Sequence, residues 1–251
     1  MSIDYAAIAH KADIDCQKVF CEHIDGASMV RSGDWVMVAT GVDAAPVNFV
    51  TPVTHPATLD GFADVHGRLL ETGLAHVIVT RSGIDDHLLD TIRGKGYTEG
   101  DTGPVMVAVD IPPIEWPDEL DRIEGMDAKA GHVQLLEEAF GLDRESIDRF
   151  VTDGLMQDDR VDIVVGLDEG IAVATAMGVT VNGVCGVFSV GTLTSHRGRG
   201  YGSALTAEVM RLARNRGASM TTLVSSPLGL SVYEGLGFET VLTHMRWMPP
   251  T

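Results

Sequence analysis

The chain has little of what several classes of protein need. Its 251 residues include three cysteines, Cys16, Cys21 and Cys185, too few for a disulfide framework and in keeping with a reducing, cytoplasmic setting. Cys16, Cys21 and His23 sit close together. An amphipathic pattern runs through them and no fourth ligand is near, which argues against a metal site, and the three cysteines read as thiols outside any disulfide. No run approaches 18 uninterrupted apolar residues, which argues against a membrane-spanning helix. The opening residues, Met1 to Tyr5, lack the basic stretch and apolar core of a secretory signal. Bases are scarce, 18 against 36 acids, and the net charge of −18 repels a phosphate backbone, so neither nucleic acid nor a membrane is an expected partner. Two phosphate-binding fingerprints are missing as well. The third glycine of G-x-G-x-x-G is Ser203 counted from Gly198 and Leu205 counted from Gly200. The nearest approach to a Walker Gly-Lys-Ser/Thr is Gly94-Lys95-Gly96.

What is present is the run Arg197-Gly198-Arg199-Gly200-Tyr201-Gly202, between an apolar, β-prone stretch over 184–194 and a helical pattern over 203–216. That helix places Leu205, Val209 and Leu212 on one face, with Glu208, Arg211 and Arg214 opposite. Glycines at a helix start let a ligand approach the backbone, and the free N–H groups and helix dipole favour an anion such as pyrophosphate. Charge distribution agrees. Residues 196–251 carry 3 acids and 6 bases, whereas 111–195 carry 17 acids and 5 bases. The only basic part of the chain therefore holds the anion loop. The acidic part before it suits a cationic acceptor, or serves only to solubilise the surface.

Arg197, Gly200 and Gly202 satisfy R-x-x-G-x-G, and Tyr233-Glu234-Gly235-Leu236-Gly237-Phe238 follows about 30 residues later. Together these resemble the GNAT superfamily of acyl-CoA-dependent N-acetyltransferases. The resemblance implies acetyl-CoA as co-substrate and an acetyl group moved to a primary amine of a small molecule. A peptide or protein acceptor, or a non-catalytic acyl-CoA-binding module, is the alternative. It implies an α/β (α+β) fold with a mixed, mostly antiparallel GNAT-type sheet flanked by helices.

The clearest boundary is the three-proline segment 111–117, which reads as a stiff connector. After it, 118–251 reads as a catalytic GNAT domain: strand 121–124, helices 128–140 and 144–155, strands 161–167, 171–181 and 184–194, the loop and its helix, strand 220–224, helix 229–236 and strand 240–247. Asn182-Gly183 is a hairpin signal. Residues 1–110 read as a degenerate copy, with helices at 6–24, 59–72 and 85–93 and strands at 35–39, 47–53, 76–80 and 105–109. Gly94-Lys95-Gly96-Tyr97 echoes Gly235-Leu236-Gly237-Phe238, but nothing between Pro52 and Phe62 supplies the glycine motif. The expectation is a tandem of two GNAT-like modules in which the first has lost its cofactor site; an unrelated α/β domain is the alternative. Monomer and homodimer are both open.

Carried onto this sequence, the resemblance assigns the pantetheine arm to the backbone of Val190, Gly191 and Thr192. It assigns the pyrophosphate to Gly198, Arg199, Gly200, Tyr201, Gly202 and Ser203. Arg197 and Arg199 either add charge-assisted contacts or sit as solvated arginines. Ser226 stands where many family members have an asparagine that bonds the cofactor. Tyr233 is the candidate acid that protonates the departing thiolate, with core packing its alternative role. Asp153, Asp158 and Asp159 suit recognition of an ammonium group. His132 and His196 are considered as bases, but no base is assigned.

Overall fold

The computed structural model describes residues 3–111 and 115–250. Pro112, Pro113 and Ile114, the centre of the expected connector, lie outside the described residues. The chain divides into two compact units, Met1–Val105 with Thr240–Thr251, and Met106–Glu239.

The first unit opens with α1 (Tyr5–His23), capped by the Asp4 carboxylate accepting from the Ala7 N–H. Strands β1 (Ser28–Ser32), β2 (Trp35–Ala39) and β3 (Phe49–Pro52) follow, then α2 (Phe62–Glu71), β4 (Val77–Arg81), α3 (Leu89–Gly94) and β5 (Thr98–Ala108). The short β1 escaped the sequence reading because Ser-Met-Val-Arg-Ser has too few apolar residues to announce a strand; pairing with β2 creates it. Strands β3 and β4 are parallel and joined through α2, and they pair only at Phe49↔Val77 and Val50↔Ile78.

The second unit runs β6 (Leu120–Glu124), α4 (Lys129–Phe140), α5 (Arg144–Phe150), α6 (Asp153–Met156), β7 (Val161–Asp168), β8 (Ile171–Val181), β9 (Val184–Thr192), α7 (Tyr201–Asn215), β10 (Met220–Val224) and α8 (Leu230–Gly235). Its strand order is β10-β9-β8-β7-β6, antiparallel except for the β9–β10 pair joined through α7. The single helix expected over 144–155 is two, because the Thr152 hydroxyl accepts from the Leu155 N–H and starts a new one. Asn182 and Gly183, both left-handed at φ 52 and 77, make the tight turn read from the sequence. The buried face of α7, including Ala204, Leu205, Val209 and Ala213, packs on the sheet at Gly178, where a Cβ would lie 2.5 Å from a Val209 methyl. Glu208, expected on the outer face, is instead buried and paired with Arg211 and Arg122.

The last strand, β11 (Glu239–Met248), belongs to the first unit, not to the 118–251 domain in which the sequence reading placed it. It pairs antiparallel with β4 from His244↔Arg81 to Trp247↔Ile78. Trp247 is the reason: it is fully buried in the core with Trp35, Leu69, Ile78 and Ile92, and its indole N–H donates to Thr80 Oγ1 at 2.9 Å. Strand periodicity tells which face of β11 is apolar but not which edge it joins.

Candidate functional site

The parallel pair β9–β10 holds register only from Met220↔Val184 to Thr222↔Gly186 and then parts. Beyond the split, β9 carries a bulge. Register against β8 shifts between Thr175 and Met177, and Ser189 takes a left-handed φ of 52°. The irregularity turns backbone polar groups around Val190 out of the ladder. Next to it, Gly191 exists to admit Phe140 from the end of α4: a Cβ there would lie 2.6 Å from the ring.

At the end of β9 the chain crosses to α7 through the glycine loop. Gly198 and Gly200 are left-handed, at φ 78 and 82, and a Cβ on either would meet nothing within 4 Å. The space over the loop is therefore open. The first helical bond closes from the Ala204 N–H to the Gly200 carbonyl, which leaves the N–H groups of Tyr201, Gly202 and Ser203 without helical acceptors. The dipole of a 15-residue helix adds positive potential there.

A cleft of about 580 Å³ runs along these elements. It is lined by Val190, Gly191, Thr192, Arg197, Gly198, Gly200, Tyr201, Gly202, Ser203, Ser226 and Tyr233, all singled out in the sequence. Arg199 is the exception. It is absent from the lining and pairs with Asp168 at 3.1 Å. Arg197 folds back to donate to the Thr192 carbonyl at 3.1 Å.

Tyr233 is 9% exposed and touches Phe238 edge-on, and Gly229 lets its ring lie flush, since a Cβ there would be 2.7 Å from Cε2. Burial pushes the phenol up to about 12. Its hydroxyl makes no hydrogen bond to any described residue, and the residue lines the cleft.

The proposed acceptor groups fare differently. Asp153 is paired with Lys129 and Asp158 with Arg160, and no carboxylate lines the cleft among the described residues. His132 is fully buried away from it. Its Nδ1 lies 2.7 Å from Thr175 Oγ1, burial pulls it down to about 4, and its Nε2 has no partner among the described residues. His196 does line the cleft. The sequence reading missed the apolar rim formed by Phe140, Leu228 and Val232; Leu228 is 82% exposed. A large apolar residue between Pro227 and Gly229, in a turn with nothing to pack on, was the available signal.

The first unit has the same strand–helix–strand arrangement with the space filled. Helix α2 also starts on a left-handed glycine, Gly61 at φ 81, but a Cβ there would lie 1.9 Å from the Ser32 carbonyl oxygen. Asp34 accepts from Thr58 in the preceding loop, and Asp60 packs on Gly33, so carboxylates surround the helix start. Where β3 and β4 part, Arg81 donates to the Thr54 carbonyl at 2.7 Å and pairs with the fully buried Asp85, also at 2.7 Å.

The sequence model of the Acetyltransferase (GNAT) family matches residues 131–238. Among solved structures, the chain is similar to a GCN5-related N-acetyltransferase from Kribbella flavida, with 19% identity over 100% of this chain and 97% of that one and a TM-score of 0.73. A GCN5-related N-acetyltransferase from Sphaerobacter thermophilus shares 19% identity over 90% and 84% of the two chains, with a TM-score of 0.63. A tandem GNAT protein from the clavulanic acid biosynthesis pathway shares 14% over 93% and 86%, with a TM-score of 0.60. At such identities the likeness is one of fold. Comparison with curated proteins finds no match. Residues 131–238 thus match an acetyltransferase family model, and the solved structures share the fold of the chain.

Proposed function

We propose that the second unit transfers an acetyl group from acetyl-CoA to a primary amine of a small molecule. The observation that carries this reading is the placement of an open, N–H-lined glycine loop and a partnerless phenol, Tyr233, on one cleft. The residues present fit the cofactor: the space over Gly198 and Gly200 admits a pyrophosphate, and the bulge at Ser189–Val190 offers backbone groups to a pantetheine arm. Acetyl-CoA supplies the activated thioester. Loop 198–203 and Arg197 hold its phosphates, Val190, Gly191 and Thr192 align the arm, and Ser226 contributes a hydroxyl in place of a longer amide.

The amine nitrogen attacks the thioester carbonyl, the C–S bond breaks, and the sulfur leaves with the electron pair. Tyr233 donates its hydrogen bond to that sulfur. A phenol at about 12 hands its proton to a thiolate of pKa about 8.5 only uphill, by roughly 5 kcal/mol, so its main work is to stabilise the developing charge. The proton released from nitrogen reaches solvent, and the thiolate takes one up from solvent as it leaves. The acceptor must arrive as the free amine, a fraction of about one in 2,500 at pH 7 for an alkylamine of pKa about 10.4. Positioning of the two reactants supplies much of the remaining acceleration.

We read the first unit as a GNAT-like module without a cofactor site, supported by the filled spaces at Gly61 and Arg81. A second reading, a non-catalytic acyl-CoA-binding module, draws support from the lack of any carboxylate on the cleft lining. Calorimetry with acetyl-CoA followed by thiol release on a panel of small amines separates the cases. Micromolar binding with turnover supports the enzyme reading; binding without turnover on any amine leaves the module; no binding removes both.

A further inference from the structure

The glycine loop has little to hold its own shape. Two left-handed glycines within three residues leave it wide conformational freedom. Backbone bonds tie its entrance, from the His196 and Arg197 N–H groups to the Leu193 and Thr194 carbonyls, and its exit, at Ala204. Over residues 196–201 the side chains must do the rest. One carboxylate gathers three of them. Asp168 Oδ2, at the end of β7, lies 3.1 Å from Arg199 Nη1, 3.3 Å from the Tyr201 hydroxyl and 3.6 Å from His196 Nε2. Those residues stand at the start, the middle and the helix junction of the loop. Tyr201 is 1% exposed, and its hydroxyl also reaches Glu119 Oε1 at 3.2 Å, so the junction is tied to the body of the unit. Asp168 itself does not line the cleft.

We propose that Asp168 is a positioning residue for the acetyl-CoA loop. By drawing His196, Arg199 and Tyr201 to one point behind the loop, it turns the backbone of Gly198 and Gly200 toward the cleft before the cofactor arrives. The proposal rests on the reading that this loop holds the pyrophosphate. It also reassigns Arg199, whose charge goes to Asp168, and leaves Arg197 as the arginine of the loop that lines the cleft.

Coulomb's law alone makes the opposite prediction, which sharpens the test. An acid beneath a phosphate loop repels the ligand, so removing it should tighten binding. If Asp168 positions the loop, Asp168→Ala weakens acetyl-CoA binding by about tenfold through lost preorganisation, and Asp168→Asn, which keeps an acceptor oxygen, recovers most of the loss. The same full-length variants are exposed to trypsin under native conditions. Asp168→Ala should be cut after Arg197 and Arg199 about ten times faster than wild type, while the urea midpoint of the rest of the chain stays put. Unchanged cleavage together with equal or tighter acetyl-CoA binding in Asp168→Ala overturns the proposal. Wild-type protein that binds no acetyl-CoA sinks the functional reading, and the cleavage rates then decide alone whether Asp168 holds the loop.

Discussion

Helices α2 and α7 start alike, each on a left-handed glycine after a strand that pairs with a parallel partner, Gly61 at φ 81 and Gly200 at φ 82. A Cβ on Gly200 would meet nothing, whereas one on Gly61 would collide with the Ser32 carbonyl. The parting strands differ in the same way: the cleft runs beyond β9 and β10, while Arg81 and Asp85 close the gap beyond β3 and β4. A glycine and a helix N-terminus do not make an anion site. The space in front of them does, together with the sign of the charge around it.

The sharpest way to break this comparison is to place the same side chain at both glycines. Gly200→Glu should abolish acetyl-CoA binding, a loss of at least about 1,000-fold in calorimetry, because the carboxylate occupies the open space and repels phosphate. Gly61→Glu should leave affinity intact in whatever folded protein remains and act on stability instead. Equal effects of the two on binding would show that the first unit also holds cofactor.

Asp85→Ala tests whether the filled gap is structural. It strands the buried Arg81 guanidinium and should cost about 3–5 kcal/mol in urea unfolding. A loss near zero would mean that water already satisfies Arg81.

Tyr233→Phe should lower turnover about 100-fold, near 3 kcal/mol, with acetyl-CoA affinity unchanged. Full activity in that variant would leave Tyr233 only its packing role against Phe238.

The smallest expected effect is a difference in acid sensitivity. In the first unit burial pulls His10 and His66 down to about 4 and pulls His244 well below its ordinary value. The second unit has His132 alone among such described histidines. These imidazoles are neutral when folded and take up a proton when unfolded, so stability falls as pH drops from 6.5 toward 4. Asp13, raised to about 6 by burial, has the opposite sign: folding favours its protonated form, and acid helps it. It offsets one histidine, which leaves two uncompensated in the first unit against one in the second. Each contributes about 1.4 kcal/mol per pH unit within that window. The buried Trp35 and Trp247 of the first unit should therefore report unfolding before Trp116 of the second as pH is lowered to 4.5. A simultaneous transition contradicts this.

Much of the second unit was legible in the sequence because its signals are local. The Asn182-Gly183 turn, the strand edges at 171–181 and 220–224, and the R-x-x-G-x-G loop each depend on residues a few positions apart. What escaped depends on distant partners. Arg199 was read as either a phosphate contact or a solvated arginine, and it pairs with Asp168, 31 positions earlier. Asp153 was read as suited to an ammonium group, and it pairs with Lys129, 24 positions earlier. Phe140 is placed on the cleft by a glycine on β9 that no helical period could reveal. Strand β11 was read with nearly correct limits and the wrong address, since an apolar face does not name its neighbours.

That address has a consequence for biosynthesis. As the chain leaves the ribosome, the second unit emerges as one uninterrupted stretch, 106–239, while the first lacks a strand until β11 is made. The β4 edge and the cavity meant for Trp247 stay open through that interval, so the part translated first is the part completed last. Losing β11 would leave residues 106–239 uninterrupted and take Trp247 from the core of the other unit.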